Sequence, residues 1–454
     1  MKHLYSFILL IICININAQD TILDHYIRIG IDNNIQLQHS RNKLNKAQLS
    51  LQEAKSKYYP QLNLYARYTT SVGGRTFDIP VGDLLNPVYS YLHKTSQVLP
   101  EPQQFPNIFV DNQTFNLLRP YEQETKFTLL QPIFNRQIYI NKRLNKKLVT
   151  TEKLSYRLSK EDLIHDIKVS YYNFLLTVDL LQALQATKKV LQENLRVSQS
   201  LFKNHKVTKE IVYRSKAELS KFEKEITDAE KKNALAASYF NTLINRDIDA
   251  SIEKQSSFSD TNLILDKDIL ILQALSNRKE LKQLDHAKEI YKDKVEINRS
   301  NYVPNLSVYG EAGIQGEHYD FGRSYNYYTG SLVLQWKLFA GLENRHKVKQ
   351  ARLDVKNIDL EKEDAKNKIR LQVINAYYDC LSQKKNLHYS KEEFSSAQAA
   401  FKLVQKKYYQ GQASLLEFLD ARATMTRAEK QKIITRYQFL IALSNLENTI
   451  SSPE

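Results

Sequence analysis

The chain has 454 residues, of which 65 are Lys or Arg and 50 are Asp or Glu, so its formal net charge is +15. An apolar share of 42% beside 25% charged residues excludes both an intrinsically disordered chain and a polytopic helical membrane protein. Only 11 Gly and 10 Pro are present, and residues 133–303 contain neither. Because the many turns of an α/β enzyme need these residues, the composition argues against an enzyme and against a cofactor-binding fold.

The amino terminus has the pattern of a secretory signal peptide. Lys2 is followed by a short apolar run over residues 4–14 and then by the small residue Ala18. This order favours cleavage after Ala18, so residues 1–18 are predicted to be the signal peptide. The apolar run is about half of the ~20 residues that a membrane-spanning helix needs, which argues against an uncleaved anchor.

The cysteines and histidines form no metal-binding or disulfide pattern. Cys13 lies in the predicted signal peptide, which leaves Cys380 in an apolar helical context and predicts a buried thiol. No metal site and no cofactor are predicted. Lys residues alternate with Glu and Asp at three- and four-residue spacing, so solvated helix faces are favoured over a nucleic-acid partner.

The second half of the chain repeats the first. The segment at residues 58–65, YYPQLNLY, returns at residues 302–309 as YVPNLSVY. The offset between the copies then falls from 244 to about 205, because the first copy has about 40 additional residues between Pro60 and Gln131. Two structural repeats are therefore predicted, at residues 19–246 and 263–454, joined by a linker at residues 247–262.

Each repeat is predicted to contain two strands followed by long helices. Pro60 and Pro304 mark the strand entries, because proline ends the helix before it. Beyond Pro60, Leu62 and Leu64 alternate with polar residues, as in a strand with one apolar face. The predicted strands span residues 61–70, 123–134, 305–314 and 328–339; the predicted helices span residues 137–245 and 343–448; and a long irregular, Pro-rich loop is predicted at residues 71–122.

Strands of about ten residues with one apolar face are typical of a transmembrane β-barrel, in which lipid covers that face. Four strands cannot close a barrel, so several chains must combine their strands: two chains would give eight and three would give twelve. Tyr65, Tyr68, Tyr309 and Trp336 are the predicted membrane-interface aromatic residues. The alternative is that the two hairpins pack against an ordinary soluble core.

The duplicated order, the Tyr-x-Pro-x-Leu strand entries, and Gly411 followed by LEFLDA at residues 416–421 resemble the TolC-like outer-membrane efflux protein family. The resemblance implies a mixed α and β membrane protein, a homotrimer whose 12-stranded transmembrane β-barrel is continuous with a periplasmic α-helical barrel. It implies an exit channel in the outer membrane of a Gram-negative bacterium, in contact with outer-membrane lipid, and it places the Pro-rich loop at residues 71–122 on the extracellular side. The partners would be a periplasmic adaptor (membrane fusion) protein and an inner-membrane pump of a tripartite efflux or type I secretion system.

The resemblance further implies a gate at the periplasmic tip. In this family, acidic residues six and nine positions after a turn glycine form the narrowest ring, and counting from Gly411 gives Glu417 and Asp420. Three chains would bring six carboxylates to one axis, which would attract cations. Tyr408 matches a position that helps to hold the tip closed.

The first repeat departs from the family pattern at the same turn. His205 stands in place of the turn glycine, and Ile211 stands in place of an acidic residue. A latch between the repeats is therefore expected to use other residues, such as Glu210 or Arg214.

Two other functions compete with a channel. A secreted or periplasmic coiled-coil scaffold or adhesin without a pore is supported by the long helices without Gly or Pro. A hydrolase could use Glu417 and Asp420 as acid and base, but these residues have no pocket-forming loop beside them, so no enzymatic activity is predicted. Drugs, metal ions and secreted polypeptides all remain open as substrates.

Overall fold

The structure is a computed structural model that describes residues 21–255 and 266–450. The predicted signal peptide, residues 1–18, lies outside the described residues, and so do residues 256–262 of the predicted linker.

Two compact units make up the chain. The strand unit comprises residues 51–143 and 293–349, and the helical unit comprises the described parts of residues 1–50, 144–292 and 350–454. Among the described residues, no helix has the length and apolar character that a bilayer span requires.

The order of helices and strands occurs twice, once in each half of the chain. The first copy additionally has two short strands and a helix between its two long strands. The elements are α1 (Ile22–Asn33), α2 (Ile35–Ser56), β1 (Gln61–Thr70), β2 (Thr76–Ile79), α3 (Val81–Ser96), β3 (Gln113–Asn116), β4 (Tyr121–Phe134), α4 (Arg136–Lys203), α5 (Lys209–Leu243), α6 (Lys267–Asn277), α7 (Lys279–Ser300), β5 (Asn305–Gly316), β6 (Asn326–Gln335), α8 (Glu343–Tyr409) and α9 (Leu415–Ile450).

The four long strands form one antiparallel sheet in the order β1-β4-β5-β6, so β1 and β6 are its edges. Leu64 pairs with Phe127 and Val308 with Leu332, which places apolar side chains on one face. The side chains of this face are largely exposed, with Leu332 at 69%. The apolar alternation predicted from the sequence therefore produces a sheet whose apolar face is left uncovered by residues 21–255 and 266–450.

The segment predicted to be an irregular loop, residues 71–122, contains two short strands and a helix. Strands β2 and β3 pair as an antiparallel ribbon, and α3 lies between them in the chain with Pro87 inside it. Asn86 fixes α3 to the returning chain, because its amide donates to the Val110 carbonyl at 2.9 Å and accepts from the Val110 amide at 2.8 Å. Gly82 permits this approach, since a Cβ there would lie 2.3 Å from the Val110 carbonyl oxygen.

The helical unit has a corresponding apolar core in each repeat. In the first, Tyr171 and Phe240 are fully buried with ring centroids 5.6 Å apart. In the second, Val373 and Cys380 are buried between α8 and its neighbours, and burial raises the pKa of the Cys380 thiol. The thiol is therefore a structural apolar group rather than a reactive one.

Candidate functional site

The turn between α4 and α5 has the same backbone geometry as the turn between α8 and α9. His205 has φ 54° and Gly411 has φ 76°, so both residues adopt the left-handed conformation that ends a helix. The amide of Lys206 donates to the Leu201 carbonyl at 2.9 Å, and the amide of Gln412 donates to the Lys407 carbonyl at 2.8 Å. His205 thus occupies the glycine position of the first turn at the steric cost that a Cβ carries there.

Glu417 and Asp420 lie three residues apart near the start of α9, and both are exposed. Glu417 closes a capping box: its Oε2 accepts from the Ser414 amide at 2.7 Å, and the Ser414 Oγ accepts from the Glu417 amide at 3.2 Å. These bonds from Ser414 hold the pKa of the Glu417 carboxyl below its ordinary value. Glu417 therefore stabilises the start of its own helix, α9.

The first repeat has no such box. Ile211 is at the third position of α5, where Glu417 stands in α9, and Thr208 makes no side-chain cap bond. Arg214 is at the position equivalent to Asp420. Only the second repeat therefore presents carboxylates at these two positions.

Tyr408 packs within the tip of the second repeat. Its ring stacks on Phe418 with centroids 4.7 Å apart, and Phe418 is fully buried. Val190 and Ile211, both from the first repeat, pack against this cluster. The residue that replaces the expected acid in the first repeat, Ile211, thus makes an apolar contact between the two repeats.

Glu210, one of the predicted latch residues, pairs within its own helix. Its carboxylate lies 3.4 Å from the Arg214 guanidinium one turn along the same helix, and both side chains are exposed. Because the spacing of four residues places both on one face of α5, each is satisfied locally.

Two ion pairs that the sequence analysis did not identify connect α5 to α9. Arg422 Nη2 lies 2.5 Å from Glu218 Oε1, and Lys430 pairs with Glu225. Arg422 is 3% exposed and its guanidinium lies 5.5 Å from the ring centroid of Phe222. In the sequence, the two acids lie seven residues apart in α5 and the two bases lie eight residues apart in α9. Each spacing places both residues on one face of their helix.

The strand unit places two of the four predicted interface aromatics on the apolar side of the sheet. Tyr68 continues the apolar alternation of β1, and Trp336 follows the last residue of β6. Tyr65 and Tyr309 instead lie on the polar face, where Tyr65 pairs across the sheet with Lys126. Alternation assigns these two tyrosines to the face opposite Tyr68, and their place at a membrane interface stays a prediction.

The polar face of the sheet carries a charged network. Lys126 Nζ lies 2.8 Å from Glu124 Oε1 and 3.0 Å from Glu311 Oε1. Arg67 lies 3.3 Å from Glu124, so charges from β1, β4 and β5 meet on this face. Among residues 21–255 and 266–450, no group of three His, Cys, Asp or Glu side chains is arranged to hold a metal ion.

Comparison with known proteins identifies relatives of one kind. Residues 270–451 match the outer membrane efflux protein family. The alkaline protease secretion protein AprF of Pseudomonas aeruginosa is 21% identical, over 70% of this chain and 67% of its own length. The outer membrane protein TolC of Escherichia coli is 21% identical, over 71% of this chain and 68% of its own length.

The fold agrees with this assignment. The crystal structure of the CmeC outer membrane channel of Campylobacter jejuni superposes with a TM-score of 0.76 at 13% sequence identity. The match covers 95% of this chain and 87% of that one. The resemblance predicted from the sequence is confirmed: residues 270–451 match the outer membrane efflux protein family, and nearly the whole chain has the fold of outer membrane channels such as CmeC.

Proposed function

We propose that the protein is a passive exit channel in the outer membrane of a Gram-negative bacterium. Three chains would pool their four-stranded sheets into a 12-stranded barrel, and the helices would form a duct in the periplasm. A periplasmic adaptor and an inner-membrane pump would deliver the substrate and the energy. The relatives named for efflux and for protease secretion support both kinds of cargo equally.

The observation that carries this proposal is the sheet with an exposed apolar face and two open edges. The edge strands β1 and β6 have ten residues each, long enough to cross the apolar layer of a bilayer when tilted. Within lipid their outer backbone groups must be paired, and only strands from other chains can provide that pairing. The charged network around Lys126 would then face the interior of the barrel, where water can solvate it.

The proposed gate consists of Glu417 and Asp420, whose exposed carboxylates share one side of α9. In a trimer they would form an acidic ring that favours cations and resists further narrowing through mutual repulsion. Tyr408, Gly411 and His205 would shape the turns around this ring.

The test is planar-bilayer conductance of the detergent-purified mature protein, with its oligomeric mass measured in the same preparation. We expect a trimer that gives small, cation-selective steps, blocked by a trivalent cation added from one side only. Glu417→Ala with Asp420→Ala should abolish the block and reduce the cation preference.

A matched control removes the same number of charges at the same spacing elsewhere. Glu361→Ala with Asp364→Ala changes two exposed acids three residues apart in α8 and should leave the block intact. A stable oligomer that never conducts in any form would instead support the coiled-coil scaffold and refute the channel.

A further inference from the structure

The positive charge of the chain is concentrated at one end of the strand unit. Antiparallel register brings together the start of β1, the end of β4, the start of β5 and the end of β6. The segments that adjoin these strand ends contain 11 Lys and Arg against four Asp and Glu, which is a net charge of +7 within the chain total of +15. We call this set, residues 51–60, 135–143, 293–304 and 336–349, the basic girdle.

The opposite end of the same sheet has no such excess. Residues 71–120 and 317–325, which connect the strands there, contain four Lys and Arg against six Asp and Glu. The net charge is therefore +7 at one end of the sheet and −2 at the other, although the strands between them are only about ten residues long. The two ends of the sheet differ strongly in charge.

Much of the girdle charge is not neutralised within the chain. Three of its four acids are engaged: Asp293 by Arg143 at 2.7 Å, Glu296 by Arg136 and Arg299, and Glu343 by Lys337 and Lys347. In the part of the chain that the structure describes, five further girdle bases form no ion pair with a carboxylate: Lys55, Lys57, Lys142, Arg345 and Lys349.

Aromatic and apolar side chains accompany these charges. A cleft of about 540 Å³ is lined by Tyr58 and Phe134 together with Arg136, Arg143 and Glu296. Each of the two arginines is ion-paired with a carboxylate of the chain. At the edge of the cleft, Lys142 Nζ lies 5.4 Å from the Tyr58 ring centroid. A cleft that is apolar within and has the ammonium group of Lys142 at its edge fits a phospholipid, with an acyl chain inside and a phosphate against Lys142.

We propose that the basic girdle binds anionic phospholipid in the bilayer leaflet at its own end of the sheet, with the Tyr58–Arg143 cleft as one lipid site. This inference rests on the proposed function, because it requires the sheet to lie in a bilayer. The exposed bases attract the headgroups, and the aromatic residues occupy the level between headgroup and acyl chain. The girdle thereby fixes the depth of the sheet and its direction across the membrane.

The chain contains one tryptophan, and it lies within the girdle. Trp336 is 54% exposed, and its indole N–H donates to the Tyr302 carbonyl at 3.1 Å. Its fluorescence can therefore report which lipid is nearest. The purified oligomer is reconstituted in phosphatidylcholine bilayers with a minority of phosphatidylglycerol, with bromine placed on the acyl chains of one lipid or the other.

We expect brominated phosphatidylglycerol to quench Trp336 more strongly than its mole fraction predicts, with the excess reduced by high salt. One basic side chain near an anionic surface contributes about a fivefold preference, less when screened. Lys142→Gln with Arg345→Gln and Lys349→Gln should therefore lower the relative association constant of the anionic lipid about fivefold to tenfold. The control, Lys391→Gln with Lys402→Gln and Lys406→Gln, removes three exposed charges from the helical unit and should change nothing.

The outcomes separate this inference from the proposed function. An oligomer that inserts and conducts but shows equal quenching by the two lipids overturns the inference and leaves the channel standing. An anionic preference that survives in the triple girdle variant overturns the assignment to these bases. A chain that neither conducts nor is quenched by either lipid refutes the channel, and the girdle with it.

Discussion

The ion pair between Arg422 and Glu218 should respond very differently to removal of each partner. The Arg422 side chain is 3% exposed, whereas the Glu218 side chain is 26% exposed. When Glu218 is removed, the Arg422 guanidinium remains enclosed between α5 and α9 without its carboxylate. When Arg422 is removed, the Glu218 carboxylate can still reach water.

These exposures set the expected magnitudes. Glu218→Ala leaves a buried unpaired cation, which typically costs about 3–5 kcal/mol. Arg422→Met retains the aliphatic packing and loses one charge-assisted hydrogen bond, which costs about 1.5–3 kcal/mol. The double variant, Glu218→Leu with Arg422→Met, removes both charges and should be more stable than Glu218→Ala.

Hydrogen exchange of the two helix turns in the purified protein measures this locally, because each tenfold loss of protection corresponds to about 1.4 kcal/mol of opening free energy. Lys188→Met supplies the control. Its pair with Glu223 joins side chains that are 34% and 47% exposed, so we expect a change below about 0.5 kcal/mol. Equal effects of Glu218→Ala and Arg422→Met, or a double variant less stable than either, would contradict the explanation that burial of the guanidinium makes the two variants differ.

Three further predictions concern the same turns. Ile211→Asp should loosen the contact between the repeats and raise single-channel conductance, because it places a carboxylate against an apolar cluster; unchanged conductance would exclude this contact as a closing element. Gly411→Ala should destabilise its turn by about 1 kcal/mol and His205→Gly should stabilise the other by a similar amount, as measured by hydrogen exchange, since both positions have positive φ. Glu417→Gln should weaken the start of α9 at neutral pH, and the difference from the parent should shrink as pH falls below about 5. The sign follows from the lowered pKa of Glu417: the carboxylate adds stability above its unfolded pKa and loses it as pH falls through the folded value.

The sequence predicted best those features that rest on local periodicity. β1 begins at Gln61 and β5 at Asn305, each one residue after the proline that was expected to end the preceding helix. Because side chains alternate between the two faces of a strand, the sequence beyond Pro60 and Pro304 determines which side chains share the apolar face.

Features that depend on distant parts of the chain were missed. The segment at residues 71–122 was predicted to be irregular because of its Pro and Gly content, but Gly82 and Asn86 are used there for a close helix contact with Val110. The pairing of Arg422 with Glu218 joins residues 204 apart, and periodicity within one helix cannot identify a partner at that distance. Complementary spacing on two helices becomes informative only when their pairing is known.

The two tips of the chain share one backbone turn and use it for different chemistry. In the second repeat Glu417 caps its helix and presents a charge, while Tyr408 and Phe418 form an aromatic cluster. The first repeat offers Ile211 to that cluster and Glu218 to Arg422. Both contacts hold the repeats together. In the proposed channel, a signal that opens the periplasmic end would therefore have to overcome an apolar and an ionic contact at once. The two repeats thus share the backbone of the turn, and residues that differ between them make the two contacts that join them.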